Sequence, residues 1–98
     1  MRVVWSPLAL ERVGEIAAWI ARDSPLAAEA WVEEIFASVW RLERFPANGR
    51  VVPELRKAEL REVLHGRYRI IYRIEPDQVF VISVRHTRQL LQSEDLEP

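Results

Sequence analysis

The chain predicts an α+β fold: a short N-terminal strand, an antiparallel two-helix hairpin, then three antiparallel strands forming one sheet. Three observations carry this. From Pro7 to Arg44 the apolar residues recur at i, i+3, i+4 and i+7, the period of helices that bury one face. Around residues 68–74, Tyr68, Ile70, Tyr72 and Ile74 alternate with Arg69, Ile71 and Arg73, the two-residue period of a strand. The stretch 60–88, LREVLHGRYRIIYRIEPDQVFVISVRHTR, divides into three strand-length pieces.

Arg2–Trp5 is the first strand. Ser6-Pro7 and Ser24-Pro25 then open the two helices, because serine accepts a hydrogen bond from an unpaired helix N–H and proline fits the first helical position. The first helix is expected from Pro7 to Arg22, with Ala9, Leu10, Val13, Ile16, Ala17 and Ile20 as its buried stripe. The second is expected from Pro25 to Arg44, stopped by Pro46. The turn at 22–24 is short enough to make the helices antiparallel neighbours. Residues 47–58 read as a loop punctuated by Asn48-Gly49 and Pro53, and Glu75–Gln78 as a hairpin turn. The register of Leu60–Leu64 is open by one residue, and it decides whether Arg61 or Glu62 joins the arginine face.

The second helix carries more apolar surface than one core needs. Trp31, Ile35, Val39 and Leu42 make one stripe; Val32, Phe36 and Trp40 make a second beside it. Trp19 lies off the core stripe of the first helix. The sheet can wrap the helix and bury both stripes. Alternatively Trp19, Val32, Phe36 and Trp40 form a partner-binding surface, with tryptophan as the usual hot-spot residue.

Composition bounds the rest. The chain has 98 residues, 49% hydrophobic and 30% charged, so a single domain over residues 1–98 is expected, able to bury roughly 60–70% of its unfolded surface. Without cysteine, disulfides and thiolate metal sites are excluded and a cytoplasmic location is the simplest expectation. No run approaches the roughly 18 apolar residues of a membrane span. The net charge is −1, unlike a general nucleic-acid binder, but it is unevenly spread. Residues 1–40 carry three Arg and six acids, 41–88 eleven bases and six acids, and 89–98 three acids and no base. The sum is −3 + 5 − 3 = −1. Thirteen of the fourteen bases are Arg, which favours bidentate contacts over diffuse charge. The acidic stretch 92–98 is expected to fray, with folding back over the basic strand end as the alternative.

Arginines on a sheet face beside a basic strand end suggest anion or target recognition by Arg50, Arg69, Arg73, Arg85 and Arg88. The plain alternative pairs Arg69 with Glu62 and Arg73 with Glu75, at ~0.2–1 kcal/mol each. His65 and His86 lack a third ligand at metal spacing, no phosphate-cradling glycine motif is present, and Ser83 lies inside a strand rather than on a nucleophile's elbow. No metal or cofactor is expected.

The segments GRVVPEL (49–55), LREVLHGRYRIIYR (60–73) and VFVISVRHTRQLL (79–91), with the Ser-Pro start of a long second helix, resemble the RelE/ParE superfamily of bacterial type II toxins. The resemblance covers nearly the whole chain. It implies a toxin neutralised by a cognate antitoxin, in a dimer or higher assembly with it. A ParE-like member poisons DNA gyrase by binding and has no catalytic residues; a RelE-like member cleaves mRNA on the ribosome. The second branch would use Arg61, Arg69 and His86, the histidine having an ordinary pKa near 6.5 that suits acid–base work. Val63 stands where that branch needs a further active side chain, and no tyrosine follows Tyr72. The form YRIIYR followed by VRHTR looks more like the gyrase branch. A non-toxic α+β binding module is the third reading.

Overall fold

A computed structural model describes residues 1–96. In chain order the elements are β1 (Arg2–Trp5), α1 (Pro7–Ala21), α2 (Pro25–Trp40), 3-10 turns at Arg41–Glu43 and Pro46–Asn48, β2 (Arg50–Val51), β3 (Leu60–His65), β4 (Tyr68–Ile74), β5 (Gln78–His86) and a last 3-10 turn at Ser93–Leu96. The strands form one mixed sheet in the order β1-β5-β4-β3-β2. β1 runs parallel to β5 and every other pairing is antiparallel.

Both Ser-Pro pairs act as helix starts. Ser24 Oγ accepts from the Ala27 N–H at 3.1 Å. Ser6 Oγ accepts from the Ala9 N–H at 3.0 Å and donates to the Ile82 carbonyl at 2.6 Å, so one hydroxyl caps α1 and ties it to β5. The second helix is shorter than its apolar pattern suggests. It tightens into 3-10 geometry after Trp40, and Pro46 opens a further turn. The stretch 47–58, expected as loop throughout, contributes the two-residue edge strand β2.

Alternation along β4 sorts the sheet into two faces. Ile70 and Tyr72 pack under the helices with Val13, Trp31, Ile35, Val39, Leu42, Val79, Val81 and Val84. Each fully buried aliphatic or aromatic side chain contributes about 1.5–3 kcal/mol. The opposite face carries a second, smaller core of Val52, Ile71 and Ile82, covered by Leu55, Leu60, Phe80 and Leu91. A bulge in β5 makes this possible. Tyr72 pairs with Val81 and Ile71 with Ser83, leaving Ile82 as the extra residue, so Ile82 enters the second core beside Ser83.

Tyr72 anchors the entry to β2. Its hydroxyl donates to the Pro46 carbonyl at 2.6 Å and accepts from the Gly49 N–H at 2.9 Å. A Cβ at Gly49 would stand 2.6 Å from the Glu62 carbonyl oxygen and 2.7 Å from the Tyr72 hydroxyl, so this position takes only glycine without rearrangement. The segment expected to fray is docked as far as residue 96. Asp95 is fully buried, while residues 97–98 lie outside the described part. Folding back wins because Asp95 finds serine and arginine donors on β5.

Candidate functional site

The β3–β4 pairing resolves the open register. Arg61 pairs with Tyr72 and Glu62 with Ile71, so Glu62 joins the arginine face and Arg61 faces the helix side. Across the arginine face, Leu64, Arg69 and Arg85 form one row; Arg50, Glu62, Ile71 and Ser83 form the next. Arg69 and Arg85 are therefore direct cross-strand neighbours, an arrangement that repels unless each charge is balanced.

Each is balanced by carboxylates. Arg69 Nε donates to Glu62 Oε1 at 2.6 Å, and its two terminal nitrogens grip Glu54 at 2.8 and 2.7 Å. Arg50 Nε donates to the other Glu62 oxygen at 2.6 Å. Two arginines and two glutamates thus form a neutral chain with Glu62 buried at its centre. Hydrogen bonds from Arg69 lower the Glu54 carboxyl from its ordinary 4.5 to about 2, against the opposing effect of burial. The hydrogen bond to Glu54 raises Arg69 above its ordinary value. Arg69 is 5% exposed, which makes it a support of the fold rather than a free cation.

Arg85 has its own acids. Its Nε donates to Asp95 Oδ2 at 2.8 Å and a terminal nitrogen to Glu94 at 3.1 Å. Ser83 Oγ donates to Asp95 Oδ1 at 2.5 Å. Arg12 of α1 meets Glu94 at 2.6 Å and Asp95 at 3.4 Å. Burial alone would raise the Asp95 carboxyl; bonds from Ser83, the Gln92 backbone and Arg85 hold it lowered. Arg73 pairs with Glu75 at 3.0 Å and lies over the Phe80 ring at 5.5 Å. Gln78 and then Arg73 lower the Glu75 carboxyl.

Of the five arginines expected to recognise an anion, Arg50, Arg69 and Arg88 meet at one cleft of about 350 Å³ with Glu54, Thr87, Gln89 and Leu90. Arg73 and Arg85 lie outside its lining. Arg88 is exposed and forms no ion pair among the described residues.

The candidate catalytic set does not assemble. Arg69 lies on one face of the sheet, Arg61 and His86 on the other. Arg61 is spent on the carbonyls of Ala58 at 2.9 Å and Gly49 at 3.1 Å, bracing the 47–58 segment. His86 pairs with Tyr68, four residues or roughly 13 Å along β4 from the Arg61 partner. The His86 ring stands edge-on to Tyr68, which stands edge-on to Trp31. His65 is bound to Glu34 at 3.1 Å.

The four residues expected to meet a partner occupy separate places. Trp19 is 63% exposed and lines a groove of about 270 Å³ with Glu15, Ile16, Tyr68 and His86. Val32 lines the small-residue channel between α1 and α2 beside Ala17, Ala21 and Ala28. Phe36 rests against Trp5 with ring centroids 4.8 Å apart. Trp40 is 70% exposed, next to Met1, Phe45, Arg41 and Arg44. Of the four, Trp19 and Trp40 are left open, while Val32 and Phe36 pack in part against the chain's own core and Trp5. The sequence reading missed Glu54, Ser83, Asp95 and Arg12; the acidic stretch after a basic strand end was the available signal for Asp95.

The chain is thus a helical hairpin over a five-stranded mixed sheet, with a charge-balanced arginine face behind it. Residues 3–91 match the family described as the ParE toxin of the type II toxin-antitoxin system parDE. Y4kP of Sinorhizobium fredii, described as a candidate toxin, is 37% identical over 90 residues, 90% of each chain. A chain of the chromosomal ParDE toxin–antitoxin system of P. aeruginosa superposes with a TM-score of 0.72 at 16% identity, covering 88% of this chain and 95% of that one. A chain of the RelBE2 toxin–antitoxin complex of Mycobacterium tuberculosis does so with a TM-score of 0.54 at 24% identity, covering 87% and 95%. The chain belongs to the ParE toxin family of type II toxin–antitoxin systems.

Proposed function

We propose that this toxin acts by binding DNA gyrase, without catalytic residues of its own, and is held inactive by a cognate antitoxin on the exposed helix-hairpin surface. One observation carries the reading: Arg61, Arg69 and His86 lie on two faces of the sheet, and Arg69 is already neutralised by Glu54 and Glu62. RNA cleavage needs a base, an acid and cations converging on one phosphate. A binding contact needs no such convergence. Exposed tryptophans and an exposed arginine such as Arg88 are the residue types that dominate protein interfaces.

The test sets purified toxin against two targets in parallel. Inhibition of gyrase supercoiling, with ribosome-bound mRNA left intact, is the expected result. Cleavage of mRNA on the ribosome with supercoiling unaffected would instead establish the nuclease reading. No effect on either would leave the non-toxic binding module.

A further inference from the structure

We propose that Arg12, Ser83 and Arg85 form a carboxylate-binding site, filled by the chain's own Asp95, into which an acidic side chain of the antitoxin docks in trans. The inference rests on the antitoxin partnership proposed above. The site is built around two carboxylate oxygens. Ser83 serves one at 2.5 Å; Arg85 Nε and the Gln92 N–H serve the other, each at 2.8 Å. Arg12 closes the far side at 3.4 Å. Ser83 is fully buried and the Arg85 side chain is 10% exposed.

The present occupant sits on a weak element. Ser93–Leu96 is one isolated turn, and Asp95 is its one buried residue. A single turn held by one buried carboxylate, Asp95, and one exposed one, Glu94, opens at low cost compared with the sheet. Leaving the site empty is another matter, because a buried serine and arginine would lose their partners. Asp95 therefore leaves when another carboxylate takes its place, and an acidic segment meets that condition.

The neighbourhood says where such a segment comes from. Arg12, Glu15, Ile16 and Trp19 share one face of α1 by their i, i+3, i+4 and i+7 spacing, and the last three line the groove with Tyr68 and His86. The carboxylate site and this exposed groove thus lie about 10 Å apart along one helix face. A segment carrying an acid roughly two helical turns from an apolar anchor engages both. This continuity places the site on the surface that the antitoxin covers.

The probe is a labelled peptide of residues 89–96, QLLQSEDL, and its counterpart with Asp replaced by Asn, titrated against the full-length chain. The variant Asp95→Ala should bind the acidic peptide about tenfold more tightly than wild type, because the competing occupant is gone. Adding Arg85→Ala, or using the Asn peptide, should abolish the gain. Equal affinity for wild type and Asp95→Ala, or binding indifferent to the peptide carboxylate, overturns the proposal. If Asp95→Ala does not fold, Glu94→Gln, which removes the ion pairs of the turn to Arg12 and Arg85 but keeps Arg12, Ser83 and Arg85 themselves, should give a smaller gain; no gain there also overturns it. In the toxin–antitoxin complex the amides of 93–96 should exchange faster with solvent than in free toxin, and slower exchange would refute displacement. None of these readouts uses gyrase, so failure here and failure of the gyrase reading are separable.

Discussion

Arg69 separates structural from functional arginine at the level of a single residue. Removing it leaves Glu62 buried beside Arg50 alone and frees Glu54, so Arg69→Ala should cost about 3–5 kcal/mol, the usual loss when one partner of a buried ion pair is deleted. Thermal unfolding measures this directly. Arg88→Ala removes an exposed cation with no partner among the described residues and should stay within about 0.5 kcal/mol of wild type. Loss of growth inhibition by Arg88→Ala at unchanged stability would assign Arg88 to the target contact. Loss by Arg69→Ala would track its lower melting temperature instead. Gly49→Ala drives a Cβ into the Glu62 carbonyl and the Tyr72 hydroxyl. It should cost about 1–3 kcal/mol as an overpacked site, and a variant as stable as wild type would contradict that close approach.

Helices and strands were legible because their signals are local. The two Ser-Pro starts, the 3.6-residue stripe through Trp31, Ile35 and Val39, and the alternation along Tyr68–Ile74 each lie within a few residues. What escaped depended on partners distant in sequence. The pairing of β1 with β5 joins Arg2 to Gln78, and the neutralisation of Arg69 needs Glu54, fifteen residues away. The Glu62 and Glu75 partnerships were visible, being near in sequence; β2 was not, because two residues give no period to detect. The two serine caps permit a test at this scale. Ser24→Ala should lose about 1 kcal/mol, a single cap. Ser6→Ala should lose more, since the same buried hydroxyl also satisfies the Ile82 carbonyl. Equal losses would show that the bond to β5 adds nothing to the cap.

For the molecule as a whole, depressed carboxyls set the response to acid. Glu54 is held near 2 against an ordinary 4.5, and Asp95 is also lowered. A group whose folded value lies below its unfolded value stabilises the fold above the unfolded pKa. That contribution disappears as pH falls through the folded one. The melting temperature should therefore hold down to about pH 5 and decline between roughly 4.5 and 2. Glu54→Gln should flatten part of that decline; an unchanged slope would mean the Arg69 clamp is absent in solution. The strand order has a different consequence. The first strand finds its neighbour only in the last, so closing the sheet along that edge means joining ends separated by almost the entire polypeptide, the slow kind of contact in folding. During synthesis, the α1–α2 hairpin and its exposed tryptophans emerge well before β5 exists. The helix surface is thus available for capture before the arginine face is assembled, and an antitoxin that reads the helices can reach a nascent toxin before it is able to do harm.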